Sequence, residues 1–152
     1  MVSVFYMEIS KDNVNKYRER TLELGYSFFK SKVLLTAIRL GVFNKIGENG
    51  MPASDIAAEL NSNIDATETF LDAMVSLDLL KKTNSMYFNT ENGKEIFING
   101  KDRYIGDIVI LQDVMWDAWS KLSESIISGK PARKPDMFQG DRDETGNFIK
   151  AM

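Results

Sequence analysis

From residue 14 to residue 24 the less polar positions Val14, Tyr17, Thr21 and Leu24 recur at intervals of three, four and three, among Lys16, Arg18, Glu19, Arg20 and Glu23. That spacing predicts an amphipathic helical arm with one narrow stripe. Gly25 is expected to break or bend it before a second helix over 26 to 40, where Phe28, Phe29, Val33, Leu34, Ala37, Ile38 and Leu40 cover more than half the circumference. A helix so apolar needs burial on two sides. Gly41 follows as a candidate left-handed stop, with Val42 and Phe43 supplying the apolar contact that accompanies one.

Two short helices come next. Pro52 and Ser54 open the first, with Ser54 read as its N-cap and Ile56, Ala57 and Leu60 facing inward, ending near Asn61. The segment Asp65-Ala66-Thr67-Glu68 has capping-box spacing ahead of Phe70, Leu71, Met74, Val75 and Leu77. Joined by Asn61-Ser62-Asn63-Ile64, the pair reads as a helix-turn-helix. Residues 79 to 83 and 86 to 90, flanking the turn residues Asn84-Ser85, read as a two-strand hairpin, the wing. The longest element is expected over 104 to 127, where Tyr104, Ile108, Leu111, Met115, Ala118, Leu122 and Ile126 keep a spacing of three or four and the first half is apolar nearly all round. Residues 129 to 136 hold two of the three prolines and read as a connector.

The fold class predicted is mainly α: a winged helix-turn-helix with a short β-hairpin wing plus additional long helices for dimerisation. The organisation expected is an N-terminal helical arm at 1–24, a winged-helix dimerisation domain at 25–100, a long apolar helix of that domain at 101–129, and a connector at 130–152 entering an absent catalytic domain.

Composition narrows the chemistry. The 152 residues, 43% apolar and 27% charged, suffice for one globular domain with a real core. A formal charge of −3 gives no general attraction to nucleic acid or to an anionic membrane. With neither Cys nor His, thiolate sites and the commonest general base and metal ligand are absent. No leader-like start and no membrane-length apolar run is found, so a cytoplasmic protein without membrane partners is expected. A winged helix raises DNA binding, yet residues 65 to 79 carry Asp65, Glu68, Asp72 and Asp78 and no Lys or Arg, so phosphates would repel that helix. Lys81 and Lys82 on the wing are too few to reverse this. No glycine forms a G-x-G or P-loop pattern. Asp141, Asp143 and Glu144 lack the glycine and terminal bidentate acid of a calcium loop. No catalytic residue and no metal site is therefore expected. Trp116 and Trp119, about 300° apart on a helix, are expected on adjacent edges.

With this order in view, the chain resembles the N-terminal region of the S-adenosylmethionine-dependent O-methyltransferases, in the small-molecule family of plant caffeic acid and flavonoid enzymes and bacterial hydroxyneurosporene and acetylserotonin-type enzymes. The resemblance lies in residues 28–43 (FFKSKVLLTAIRLGVF), 54–60 (SDIAAEL) and 71–80 (LDAMVSLDLL), and the tail 148–152 (FIKAM) looks like the entry to the catalytic domain. It implies a homodimer of intertwined helices, each chain helping to cover a pocket for a small aromatic hydroxyl acceptor. By the same resemblance Phe148 and Met152 flank that acceptor, and Val109, Gln112 and Trp116 line the same cavity. S-adenosylmethionine belongs to the complete enzyme and is not bound by this chain. The family's glycine-rich donor loop and catalytic His lie past the residue where this chain stops, so the chain alone is not expected to transfer methyl groups. The alternative is a winged-helix transcriptional regulator that binds DNA and a small aromatic effector.

Overall fold

A computed structural model describes residues 11–132. It is a mainly helical chain with one small antiparallel sheet. The helices are α1 (Lys11–Arg39), α2 (Val42–Ile46), α3 (Ala53–Leu60), α4 (Ile64–Ser76), α5 (Glu91–Phe97), α6 (Gly106–Val114), α7 (Trp116–Ser120) and α8 (Leu122–Ser128); the strands are β1 (Met51–Pro52), β2 (Leu80–Thr83) and β3 (Met86–Asn89). The chain divides into two units between Lys32 and Val33.

The first unit holds most of α1, and here the structure corrects the expected break. Gly25 lies inside one continuous helix of 29 residues, its α-carbon with nothing nearby for a side chain to strike. An interior glycine costs a helix only about 1 kcal/mol relative to alanine, which its neighbours on both sides offset. The stripe of Val14, Tyr17, Thr21 and Leu24 therefore runs on to Phe28 in a 3.5-residue repeat. Leu22, Tyr26 and Phe29 form a second stripe, and every residue from 11 to 32 is exposed. The rings of Phe28 and Phe29 approach to 3.9 Å between centroids.

The second unit carries the core. Leu35, Ala37 and Ile38 from the end of α1 pack with Val42, Phe43 and Ile46 of α2, Ala53 and Ile56 of α3, Leu71 and Met74 of α4, Leu80, Tyr87, Phe97 and Val109. Phe43 and Phe97 stack with centroids 4.4 Å apart. Gly41 has φ 67° and turns the chain from α1 into α2, as its position after the apolar run predicts. Asn89, buried at the end of β3, donates through Nδ2 to the carbonyls of Phe43 (2.9 Å) and Gly47 (2.8 Å), which holds α2 and its following turn to the sheet.

The hairpin is where the pattern placed it. Asn84 and Ser85 both have positive φ, as a tight two-residue turn matched to strand twist requires, and Thr83 faces Met86 in register. The unexpected part is β1, which pairs with β3 (Met51 opposite Tyr87) to give the order β1-β3-β2. Two residues are too few for period-2 alternation to show, and Pro52 sits on an edge, where a missing N–H is tolerated.

The helix ends differ from the expected caps. Pro52, not Ser54, occupies the N-cap of α3, because the Ser54 hydroxyl donates to Asp55 Oδ1 instead. Asn63, not Asp65, caps α4, its Oδ1 accepting from the Ala66 amide at 2.9 Å. Asp78, at φ 57°, ends α4: its own amide reaches the Val75 carbonyl and the Leu79 amide reaches Met74, both at 3.0 Å. That is the hydrogen-bond pattern of a Schellman stop without glycine. The single helix expected over 104 to 127 is three helices, α6 to α8, interrupted at Met115 and Lys121. Two of the three missed elements, α2 and α5, are only five and seven residues long, too short for a helical period to stand out.

Gly50 has φ 79°, and a methyl group there would lie 2.3 Å from the Phe88 ring. Gly50→Ala is predicted to lower stability by roughly 1–3 kcal/mol from backbone strain and this contact together. Urea titration measures it, and adding Phe88→Ala should recover only the steric share. An unchanged midpoint for Gly50→Ala would contradict the close approach.

Candidate functional site

Two regions carry features beyond packing. The first is the face formed by α4 and the hairpin. Lys82 on β2 extends its Nζ to Asp72 Oδ1 at 2.8 Å and to Glu68 Oε1 at 3.2 Å, while the buried Tyr87 hydroxyl donates to the same Asp72 oxygen at 2.7 Å. The ammonium also lies 4.8 Å from the centre of the Tyr87 ring. The hydrogen bonds from Lys82 and Tyr87 hold the Asp72 carboxyl below its ordinary range. Those from Asp72 and Tyr87 raise the Lys82 ammonium, and burial pushes the Tyr87 phenol up. One of the two cations of the hairpin is thus neutralised by the acids of α4, which removes it from service to a phosphate backbone. A second network joins α5 to the turn before β1: Lys101 and Lys94 reach Glu48 at 3.3 and 3.5 Å, and Lys94 also reaches Glu91 at 3.2 Å. The Lys101 hydrogen bond, ahead of Lys94, lowers the Glu48 carboxyl.

The second region is α6 to α8. Of the residues expected to face an acceptor, Val109 is part of the core and 5% exposed, Trp116 is half-buried against that core, and Gln112 is exposed. Phe148 and Met152 lie outside the described residues, as do Asp141, Asp143 and Glu144. An apolar cavity of about 210 Å³ is lined by Met115, Ala118, Trp119, Leu122, Ser125, Pro131 and Ala132. Trp119 is 65% and Ile127 86% exposed, so the apolar surface continues outward from it.

Sequence reasoning passed over one pair. Arg39, the last residue of α1, donates through Nε to Asp113 Oδ2 on α6, and the Asp113 side chain is 5% exposed. The signal was available: a lone carboxylate four residues after Val109, within an otherwise apolar run.

Among the described residues no strand-to-helix phosphate turn occurs. Their sheet is antiparallel, and Gly41, Gly47, Gly50, Gly100 and Gly129 sit at positive φ in turns and helix stops, not in a strand-to-helix phosphate turn. No group of three or more acids able to hold a metal occurs among the described residues, and none of their helices is long and apolar enough to cross a membrane.

Residues 22–96 match the O-methyltransferase dimerisation domain. This segment belongs to that family. Acetylserotonin O-methyltransferase of Gallus gallus is 29% identical over 121 residues, covering 75% of this chain and 35% of the enzyme. A probable bifunctional dTTP/UTP pyrophosphatase/methyltransferase protein of Homo sapiens is 30% identical over 123 residues, 79% of this chain and 20% of that protein. In three dimensions the chain is similar to an O-methyltransferase family protein from Burkholderia thailandensis, with a TM-score of 0.76 and 26% identity over 88% of this chain and 40% of that one. The chain thus spans about a third or less of the curated relatives it matches here. The matched stretch takes in the stripes of α1 from Leu22 onward, the core apart from Phe97 and Val109, and the face where the acids of α4 hold Lys82.

The lowered Asp72 carboxyl sets a pH dependence. Its contribution is present above the unfolded value of 3.8 and is lost as pH falls through the lower folded one. Asp72→Asn is predicted to cost roughly 0.5–1 kcal/mol at neutral pH, because the side chain is half exposed and screened. Chemical denaturation across an acid series should show the two proteins converging below the folded value. A gap that persists there would contradict the assignment.

Proposed function

We propose that this chain is the N-terminal dimerisation and pocket-covering domain of an S-adenosylmethionine-dependent O-methyltransferase that acts on a small aromatic hydroxyl acceptor. The match of residues 22–96 to the dimerisation domain carries the reading, and the uncovered apolar stripes of α1 supply its physical reason. Tyr17 and Leu24 are each 75% exposed on a 3.5-residue repeat, the periodicity at which a second helix interdigitates. Two copies related by a twofold axis would cover one another's stripes, burying on the order of 2,000 Å² or more if obligate. In this reading α3, α4 and the hairpin form a winged helix kept as a scaffold, with Lys82 of the hairpin held by the acids of α4.

The domain's part in catalysis is positioning. Apolar walls from α6 to α8, with Trp116 and Gln112, exclude water and orient the acceptor, and Phe148 and Met152 are the further residues assigned to acceptor binding in this reading. The methyl donor and the base that deprotonates the acceptor hydroxyl would come from the remainder of the enzyme. A cytoplasmic location fits such a small-molecule enzyme.

Light scattering at micromolar concentration is predicted to give twice the chain mass. Leu24→Glu with Phe28→Glu should give the single mass while keeping the circular dichroism of the second unit, whose core contains neither residue. A native protein of single mass, or a double variant that still pairs, would overturn the pairing.

A further inference from the structure

Helix α6 is apolar on every side: Ile108, Val109, Ile110, Leu111 and Val114 are spread around its circumference. Burial alone therefore sets its rotation weakly. The observed rotation also runs against burial. Gly106, Val109 and Asp113 face the core, while Ile105, just before the helix, with Ile108 and Gln112, lies exposed about 100° away. Turning the helix by that angle would bring Ile105, Ile108 and Gln112 inward in place of Gly106, Val109 and Asp113, exchanging a buried carboxylate for a neutral amide. Ile105 and Ile108 are 37% and 43% exposed, so the turn would remove further apolar surface from water, and something must oppose it.

We infer that Arg39 is a positioning residue whose ion pair with Asp113 locks the rotation of α6 and thereby presents Gln112 on its outer face. The Asp113 side chain is almost wholly buried and the Arg39 guanidinium is half exposed, so the pair closes only when Asp113 faces the end of α1. A buried carboxylate turned away from a cation that compensates it loses that compensation, which is how an ionic contact contributes to specifying a register. Gln112 is the one uncharged polar side chain on α6, with an amide that donates and accepts. Its value as a selector of the acceptor rests on the pocket-covering reading above; the lock itself does not.

The chain has no cysteine, so single thiols report cleanly on each face. Val109→Cys and Gln112→Cys are labelled with a soluble thiol reagent, at a dilution where light scattering gives a single chain. With Arg39 in place, Gln112→Cys should react at least about tenfold faster than Val109→Cys, and Arg39→Met should shrink that ratio to within about threefold, because reactivity follows access. Arg39→Lys, which keeps the charge, should retain most of the ratio. Asp113→Leu, which removes the buried charge but keeps an apolar filling, should shrink it as Arg39→Met does. An unchanged ratio in Arg39→Met or Asp113→Leu overturns the lock. Loss of the far-ultraviolet helical signal in both variants also overturns it, because the pair then holds the fold rather than a rotation. A chain that never pairs but keeps these ratios would refute the dimer and leave the lock standing.

Discussion

Apolar side chains on α1 that stand uncovered among the described residues are the constraint from which the rest follows. Val14, Tyr17, Leu24 and Phe28 on one stripe, and Leu22, Tyr26 and Phe29 on another, stand in water along a helix unbroken at Gly25. Water penalises such surface by about 25 cal/mol per Å², and contiguous exposure beyond a few hundred Å² is rare on a chain that works alone. The proposed second copy removes that penalty, and the 3.5-residue repeat of one stripe names a helix as the partner.

From α2 to α5 the second unit behaves in the opposite way, satisfying itself. Its core draws on every helix from α1 to α6 except the outer turns, and its stops close with Gly41, Asn61 and Asp78 in left-handed geometry. Its surface charges pair locally, Lys82 with Glu68 and Asp72, Lys94 and Lys101 with Glu48. This local pairing is what separates the domain from a DNA-binding module of similar element order. A recognition helix must spend its charge on phosphates, whereas α4 carries only acids and uses two of them to hold the hairpin's lysine. Self-sufficiency here and exposure on α1 and α8 divide the chain into a scaffold and surfaces that await company.

Much of this was legible in the residues. Strong periodicity placed the helices around Leu35, Ile56 and Leu71, and Asn84-Ser85 gave the hairpin turn, because buried faces and positive-φ turns leave marks on sequence. Helix ends were less legible: Ser54 and Asp65 have the right side chains, but Pro52 and Asn63 take the caps, a choice made by tertiary packing within one or two residues. Met115 and Lys121 interrupt what reads as one helix, with no glycine or proline to announce the interruptions. Of the residues proposed to face an acceptor, Gln112 is exposed and Trp116 half-buried, whereas Val109 belongs to the core. The Arg39–Asp113 contact joins residues 74 positions apart, a separation that periodicity within one element does not register.

Pairing links stability to concentration, and that link is the most direct test. The urea midpoint of the native chain, measured at protein concentrations a hundredfold apart, should rise with concentration, since association of folded copies adds free energy by mass action. A midpoint that stays fixed over that range would mean that one copy shelters its own helices, and the account built on α1 would be wrong.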